Sequence, residues 1–141
     1  MSCNKINSAV ITPVLAAGSV ASPYYFQVNI SQRLCWPACA DRTPVFSPVF
    51  SLEGVTQVGT GEYVATVKVE GVISYVPCGQ NECCTKSQVI SQSFTIPIAS
   101  ATAPASVTLT QGVSVNTVNV SACQSCGRTF VSETPLVVTV A

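Results

Sequence analysis

The sequence contains no histidine and few charged residues. Only 9% of its 141 residues are charged, against about 25% in a typical globular domain. Six basic residues balance six acidic ones. Without histidine, neither a Ser-His-Asp nor a Cys-His catalytic arrangement can form, and a zinc site would have to be all-cysteine. The low charge leaves Ser, Thr, Asn and Gln as the main polar surface, which favours burial against copies of the same chain.

Neither a nucleic-acid partner nor a membrane span is expected. The Lys and Arg residues are scattered singly along the chain, so they provide no stripe that would neutralise phosphates. No apolar run approaches the ~18 residues that a membrane-spanning helix needs.

The N-terminal segment loosely imitates a secretion signal. Lys5 precedes the apolar stretch "AVITPVLAAGSVA", but Pro13 interrupts that stretch and asparagines dilute its start. We therefore expect synthesis in the cytoplasm without a cleaved leader. Residues 1–22 are predicted to form an ordinary first strand or an arm that adds a strand to a neighbouring copy. Residues 23–141 are predicted to form one β-sandwich domain.

The apolar periodicity is that of β-strands. In "EYVATVKVEG", Tyr63, Ala65, Val67 and Val69 alternate with mostly polar residues, which predicts one buried face. No window combines helical spacing with helix caps. Breaks at Pro, Gly, Asn and Ser delimit about eight strands. They are predicted at 8–16, 24–31, 45–52, 54–59, 62–76, 87–98, 106–121 and 129–140. This pattern predicts an all-β, two-sheet β-sandwich, either a jelly roll or an Ig-like relative.

Two stretches predict the orientation of individual side chains. In "YYF", Tyr24 and Phe26 are expected on the buried face and Tyr25 on the other. Within 106–121 the valines change parity, so a bulge or tight turn near Asn116 would restore them to one face.

Eight cysteines fall into four groups. They are Cys3, Cys35 with Cys39, Cys78 with Cys83 and Cys84, and Cys123 with Cys126. A chain of this length can bury a sizeable core without crosslinks, so the cysteines need another explanation. The favoured interpretation is structural or intersubunit disulfides. Adjacent Cys83 and Cys84 would reach two different partners because their Cβ vectors diverge in a strand, and Cys3 suits a bond to another molecule.

Zinc is the alternative use of these cysteines. "CQSCG" has the C-x-x-C spacing in which thiolates wrap a tetrahedral metal, and "CWPAC" offers a second pair. The candidate ligands are Cys35, Cys39, Cys123 and Cys126. Redox catalysis is disfavoured because a reactive C-x-x-C normally begins a helix, whereas the residues after Cys126 predict a strand. No cofactor is therefore expected, with structural zinc as the alternative.

Acidic residues give no catalytic pattern. The six carboxylates are dispersed singly, and a glycosidase needs two that face each other across one bond. Solvated charges that keep sheet edges soluble are the favoured interpretation. Trp36, beside two cysteines, is expected to be a packing residue. The sequence therefore predicts that the protein is not an enzyme.

The start "MSC", the uncharged segment through Ser22 and the eight-strand pattern resemble the subunits of bacterial endospore appendages. The resemblance implies a jelly roll preceded by an N-terminal connector that docks into preceding subunits and forms disulfides with them. In this sequence the resemblance implies a role in bonding between subunits for Cys3 alone. Those connectors tend to carry paired cysteines, and this N-terminus has one.

Together these features predict a structural subunit that self-assembles into an extracellular filament or particle shell. Disulfides and β-strand addition would stabilise it, with oxidation following lysis of the producing cell, on a spore surface or virion. The alternatives are a phage decoration or tail protein and a secreted β-sandwich binding module with internal disulfides.

Overall fold

The computed structural model describes residues 9–18, 22–39, 43–77, 85–99, 104, 106–119 and 126–141. Within these ranges the chain forms nine strands and no helix. The strands are β1 (Val10–Leu15), β2 (Tyr24–Cys39), β3 (Val45–Phe46), β4 (Val49–Gly59), β5 (Glu62–Tyr75), β6 (Lys86–Ala99), β7 (Val107–Gln111), β8 (Val115–Asn119) and β9 (Cys126–Val140).

The strands form two antiparallel sheets. Sheet A has the order β1-β2-β9, with β7 and β8 one after the other along the far side of β9. In sheet B, β5 pairs with β6 along one side and with β3 and β4 along the other. The predicted all-β, two-sheet architecture is confirmed. β4 and β5 meet at a tight turn, where Gly61 has a φ of 71°, a conformation that glycine adopts without steric cost.

Alternation along β5 places one face of sheet B in the core. Tyr63, Ala65, Val67 and Val69 are all buried, and the intervening side chains are half-buried or exposed. β6 pairs with β5 over the full length of both strands. The alternation expected from the sequence is therefore confirmed, and its physical cause is the two-residue period of a pleated strand.

Aromatic and aliphatic side chains from both sheets fill the space between them. Phe46 of sheet B meets Phe130 of sheet A edge to face, with ring centroids 5.4 Å apart. Val28 and Ile30 of β2 are fully buried, as is Val67 opposite. Full burial of each such side chain contributes about 1.5–3 kcal/mol.

Glutamine side chains close both open sides of the sandwich. On one side the Gln92 amide accepts from the Ala9 N–H at 3.0 Å and donates to the Ala9 carbonyl at 2.7 Å. On the other, Gln111 accepts from the Phe50 N–H at 3.1 Å and donates to the Pro48 carbonyl at 2.6 Å. Each amide imitates a strand partner and thereby joins an edge of sheet A to an edge of sheet B.

Several predicted strand boundaries were wrong. The strand predicted at 24–31 continues to Cys39, and the break predicted between 52 and 54 lies instead at 47–48, between β3 and β4. The predicted strand 106–121 divides into β7 and β8. In all three places the pairing partner, rather than the local composition, sets where the strand continues.

The change of parity in this region occurs before Asn116. Gln111 pairs with Leu136, whereas Val115 pairs with Glu133, so the register slips by one residue across 112–114. As a result Val113 is 86% exposed and Val115 is 60% exposed. Both lie on the outer face, which corrects the expectation that all the valines would share one face. The orientation of "YYF" is confirmed, because Tyr24 and Phe26 are buried and Tyr25 is 53% exposed.

Candidate functional site

The register of β2 and β9 brings two of the predicted cysteine groups together. Cys39, the last residue of β2, is paired directly with Cys126, the first residue of β9. For these two residues and for Cys35 the structure describes the backbone. Cys39, which ends "CWPAC", and Cys126, which lies within "CQSCG", are thus adjacent in space although they are far apart in sequence. Only the antiparallel pairing of β2 with the last strand reveals this.

The two sheets join at the same end of the sandwich. The register of β2 shifts between Arg33 and Ala38. Ala38, which is fully buried, pairs with Gly127 of sheet A and also forms a bridge to Pro77, just beyond β5 of sheet B. A single residue of β2 therefore contacts backbone from both sheets.

A polar network holds the irregular part of β2 in place. The Tyr75 hydroxyl lies 3.4 Å from the Trp36 N–H, which donates to it, and 3.3 Å from Gln88 Oε1, to which it donates. The Arg33 carbonyl accepts from Gln88 Nε2 at 3.1 Å and from Gln32 Nε2 at 2.9 Å. These bonds replace the ladder bonds that the register shift removes, as buried backbone groups require.

Trp36 packs against the core beside this network. Its side chain is half-buried, and Lys86 Nζ lies 5.5 Å from the centroid of its ring. That distance is within the range of a cation–π interaction. The geometry agrees with the packing role expected from the sequence.

Close packing of β9 against β8 explains the glycine of "CQSCG", Gly127. A Cβ placed on Gly127 would lie 1.9 Å from the carbonyl oxygen of Asn119 and 2.8 Å from Val118 Cγ1. Because the first of these atoms belongs to backbone, it has little freedom to move aside. β8 and β9 approach so closely here that only glycine fits, with or without a metal.

The remaining predicted cysteines lie outside the described residues. They are Cys3, Cys78, Cys83, Cys84 and Cys123. Among the residues that are described, no three His, Cys, Asp or Glu side chains gather as metal ligands. The described side chains do not include those of the candidate zinc ligands Cys35, Cys39, Cys123 and Cys126. The zinc site therefore stays a prediction.

Carboxylates within the described ranges do not converge on one cleft. Glu53 accepts a short hydrogen bond from Ser93, and Glu70 Oε1 lies 3.3 Å from Lys68 Nζ. Glu133 belongs to β9 in the other sheet. Asp41 and Glu82 lie outside the described residues. Glu53 and Glu70 therefore contact different partners on sheet B, and Glu133 lies on the other sheet.

The outer face of sheet A has an apolar groove that sequence reasoning missed. Val14, Tyr25, Val113, Val115 and Pro135 line most of it, and its volume is about 400 Å³. The outward orientation of Tyr25 was predicted. Val113 and Val115 were expected to share one face with the other valines of 106–121, because the register slip that turns them outward is not visible in the local pattern.

A second apolar surface lies on the outer face of sheet B. Val45, Val49, Val72 and Val89 are each between 48% and 68% exposed and line one depression. Glu70 also lines it. The depression on sheet B and the groove on sheet A are thus alike in charge, because the lining of each includes one acidic residue, Glu70 in the first and Glu133 in the second.

No family model, curated protein or solved structure matches this chain. The ranges that the structure describes also contain no helix long and apolar enough to cross a membrane.

Proposed function

We propose that this protein is a non-enzymatic structural subunit that assembles with copies of itself into an extracellular filament or particle shell. Disulfides and β-strand addition stabilise the assembly. The proposed final location is a spore surface or a virion, reached after synthesis in the cytoplasm.

The observation that carries this proposal is the composition of the outer face of sheet A. Val14 is 46% exposed, Tyr25 53%, Val115 60% and Val113 86%. These side chains line one groove on a face otherwise composed largely of Thr, Ser, Asn and Gln. Contiguous exposed apolar surface marks an interaction site, and an almost uncharged face carries little electrostatic penalty against a second copy of itself.

Strand addition has a natural place at β1. This strand is the edge of sheet A and pairs with β2 of its own chain. Edge strands present N–H and C=O groups that can pair with a further strand. Because β1 completes its own sheet, a neighbour would add beside β1 rather than replace it. Residues 1–8, which include Cys3, lie outside the described residues.

Matched valine substitutions test the role of the groove. Val115→Lys places a charge in the groove. Val58→Lys is the control, because it places the same charge outside the groove, at an equally exposed valine of β4. We expect negative-stain images and sedimentation velocity to show assemblies for the native chain and for Val58→Lys, and at least tenfold weaker association for Val115→Lys. A monomer at every concentration in all three proteins would refute the proposal.

Electrophoresis of the native assembly tests the disulfides between subunits. Without reductant we expect a ladder of covalent oligomers, which collapses to monomer when thiol is added. If the subunits migrate as monomers in both conditions, covalent joining is wrong even where the assembly itself persists.

One observation favours a second candidate, a secreted binding module with internal disulfides. The pairing of Cys39 with Cys126 lies within one chain. This candidate predicts a monomer whose melting temperature is independent of protein concentration, whereas the assembly model predicts melting that rises with concentration. A phage decoration or tail protein would share the assembly behaviour and differ in location.

A further inference from the structure

We propose that Cys39 and Cys126 form an intramolecular disulfide that joins the end of β2 to the start of β9. This pairing is independent of the proposed function, because it concerns two strands of a single chain. Fixing this one bond reduces the 105 complete pairings that eight cysteines allow to the 15 that the remaining six allow.

The backbone register provides the geometry. Residues directly opposite each other in an antiparallel ladder have Cα atoms about 4.5–5.5 Å apart, and disulfides form between Cα atoms about 4.4–6.8 Å apart. Directly opposite residues also share one face of the sheet. Cys39 and Cys126 occupy such a pair, so a bond between them needs no rearrangement of the strands.

The surrounding backbone fixes this pair before any oxidation. Ala38, next to Cys39, is paired with Gly127 and bridged to Pro77. Gly127, next to Cys126, is held against the backbone of Asn119. A thiol pair placed by neighbours on both sides closes with a smaller loss of conformational entropy than a pair on free loops.

The register also discriminates against the other cysteine in β2. From Arg33 to Ala38 the β2 chain advances five residues, while its partners in β9 advance only from Thr129 to Gly127. Cys35 falls within this shift and has no opposite residue in β9. The structure therefore singles out Cys39 within "CWPAC".

The bond forms by exchange with a small disulfide such as oxidised glutathione. The thiolate of one cysteine attacks that disulfide, which gives a mixed disulfide and releases one small thiol. The second cysteine thiolate then attacks the protein sulfur of the mixed disulfide and releases the second small thiol. The two cysteines lose two protons and two electrons, and the small disulfide accepts both.

Trypsin can separate the cysteine groups for a direct test. Cleavage after Lys5, Arg33, Arg42, Lys68, Lys86 and Arg128 would isolate peptides 1–5, 34–42, 69–86 and 87–128, each with one group. The natively folded full-length chain is alkylated under denaturing conditions without reductant. The band that migrates as a monomer is then digested. We expect peptide 34–42 joined to peptide 87–128, with a mass two hydrogens below the sum of the two peptides when each is alkylated at its other cysteine, Cys35 or Cys123.

Serine variants then identify the two cysteines. Cys39→Ser and Cys126→Ser should abolish the joined peptide, whereas the matched controls Cys35→Ser and Cys123→Ser should retain it. Circular dichroism confirms that each variant is folded, and the map of the native chain needs no variant. A joined peptide that survives Cys39→Ser, or that disappears in Cys35→Ser, overturns the assignment.

Thermal melting and metal analysis provide independent readouts. Reduction should lower the Tm by about 10 °C in the native chain and in Cys35→Ser. The double variant Cys39→Ser with Cys126→Ser lacks this bond. On reduction its Tm should therefore fall by about 10 °C less than the Tm of the native chain does. Stoichiometric zinc in the native chain, with both peptides fully alkylated, would overturn the proposal in favour of a metal site.

Discussion

Single residues at the junction of β8 and β9 show how little space this fold leaves for substitution. The backbone of Asn119 leaves no space for a Cβ on Gly127. Nearby in β9, Ser132 is fully buried, and its hydroxyl has no hydrogen-bond partner among the described residues. Position 127 therefore requires glycine, whereas Ser132 stabilises the fold less than an apolar residue of similar size would.

Gly127→Ala should destabilise the protein. The added Cβ forces β8 and β9 apart, and overpacking of this kind costs about 1–3 kcal/mol. Gly54→Ala is the matched control, because a Cβ there meets nothing within 4 Å. Urea denaturation measures both free energies of unfolding, and equal values for the two variants would contradict the steric argument.

Ser132→Ala should leave the free energy of unfolding unchanged or raise it by up to about 1 kcal/mol, because an unpaired buried hydroxyl is costly. Thr134→Val, two residues along the same face, should lower it by about 1 kcal/mol. That hydroxyl pairs with Ser114 Oγ at 2.7 Å. A clear loss of stability in Ser132→Ala would mean that the Ser132 hydroxyl does have a hydrogen-bond partner.

At the scale of strands, the two sheets are joined at their edges as well as through their core. Gln92 and Gln111 lie on opposite sides of the sandwich and each makes two bonds to the backbone of the other sheet. Amide side chains suit this role because each provides both a donor and an acceptor. The two amides thereby link the edges of the two sheets through four hydrogen bonds to backbone groups.

Gln92→Ala and Gln111→Ala should each lower the free energy of unfolding by about 1–2 kcal/mol, and the double variant by their sum, since the two sites share no partners. Gln27→Ala is the control, because the Gln27 amide donates to Asn29 Oδ1 of the same strand at an exposed site. Hydrogen exchange should accelerate at Ala9 in the first variant and at Phe50 in the second. Exchange rates like those of the native chain would show that these amides do not hold the edges.

Strand boundaries show where local pattern stops being informative. Alternation in β5 was predictable because every inward position there is apolar. The slip at 112–114 was not, because moving a strand by one residue exchanges its faces without any change in composition. The order of the strands was also undetermined. An immunoglobulin constant domain groups strands ABED and CFG, whereas here β3, β4, β5 and β6, which are consecutive, form one sheet.

At the scale of the whole molecule, the balance of charge and exposed apolar surface favours association without long-range electrostatics. The chain has zero formal net charge, and the groove of sheet A is lined by one ionised residue, Glu133. Contacts of this kind depend on buried area and backbone hydrogen bonds, which salt screens little.

The proposed assembly should therefore persist as ionic strength rises. Between about 50 mM and 500 mM sodium chloride the Debye length shortens roughly threefold, which would weaken an interface held by charge. We expect the sedimentation profile at fixed protein concentration to change little, or to shift toward larger species. Dissociation at the higher concentration would point to charged contacts outside the described faces.

The amino-acid sequence by itself determined the all-β class, the buried face of β5 and the outward position of Tyr25, because a strand's two-residue period is a local property. It also marked the cysteines as the residues to explain. Strand pairing in the folded chain places Cys39 opposite Cys126, turns Val113 and Val115 outward, and brings Gln92 and Gln111 to the sheet edges. Those features depend on which strands pair and in which register, and pairing is a contact between distant segments that no local pattern contains.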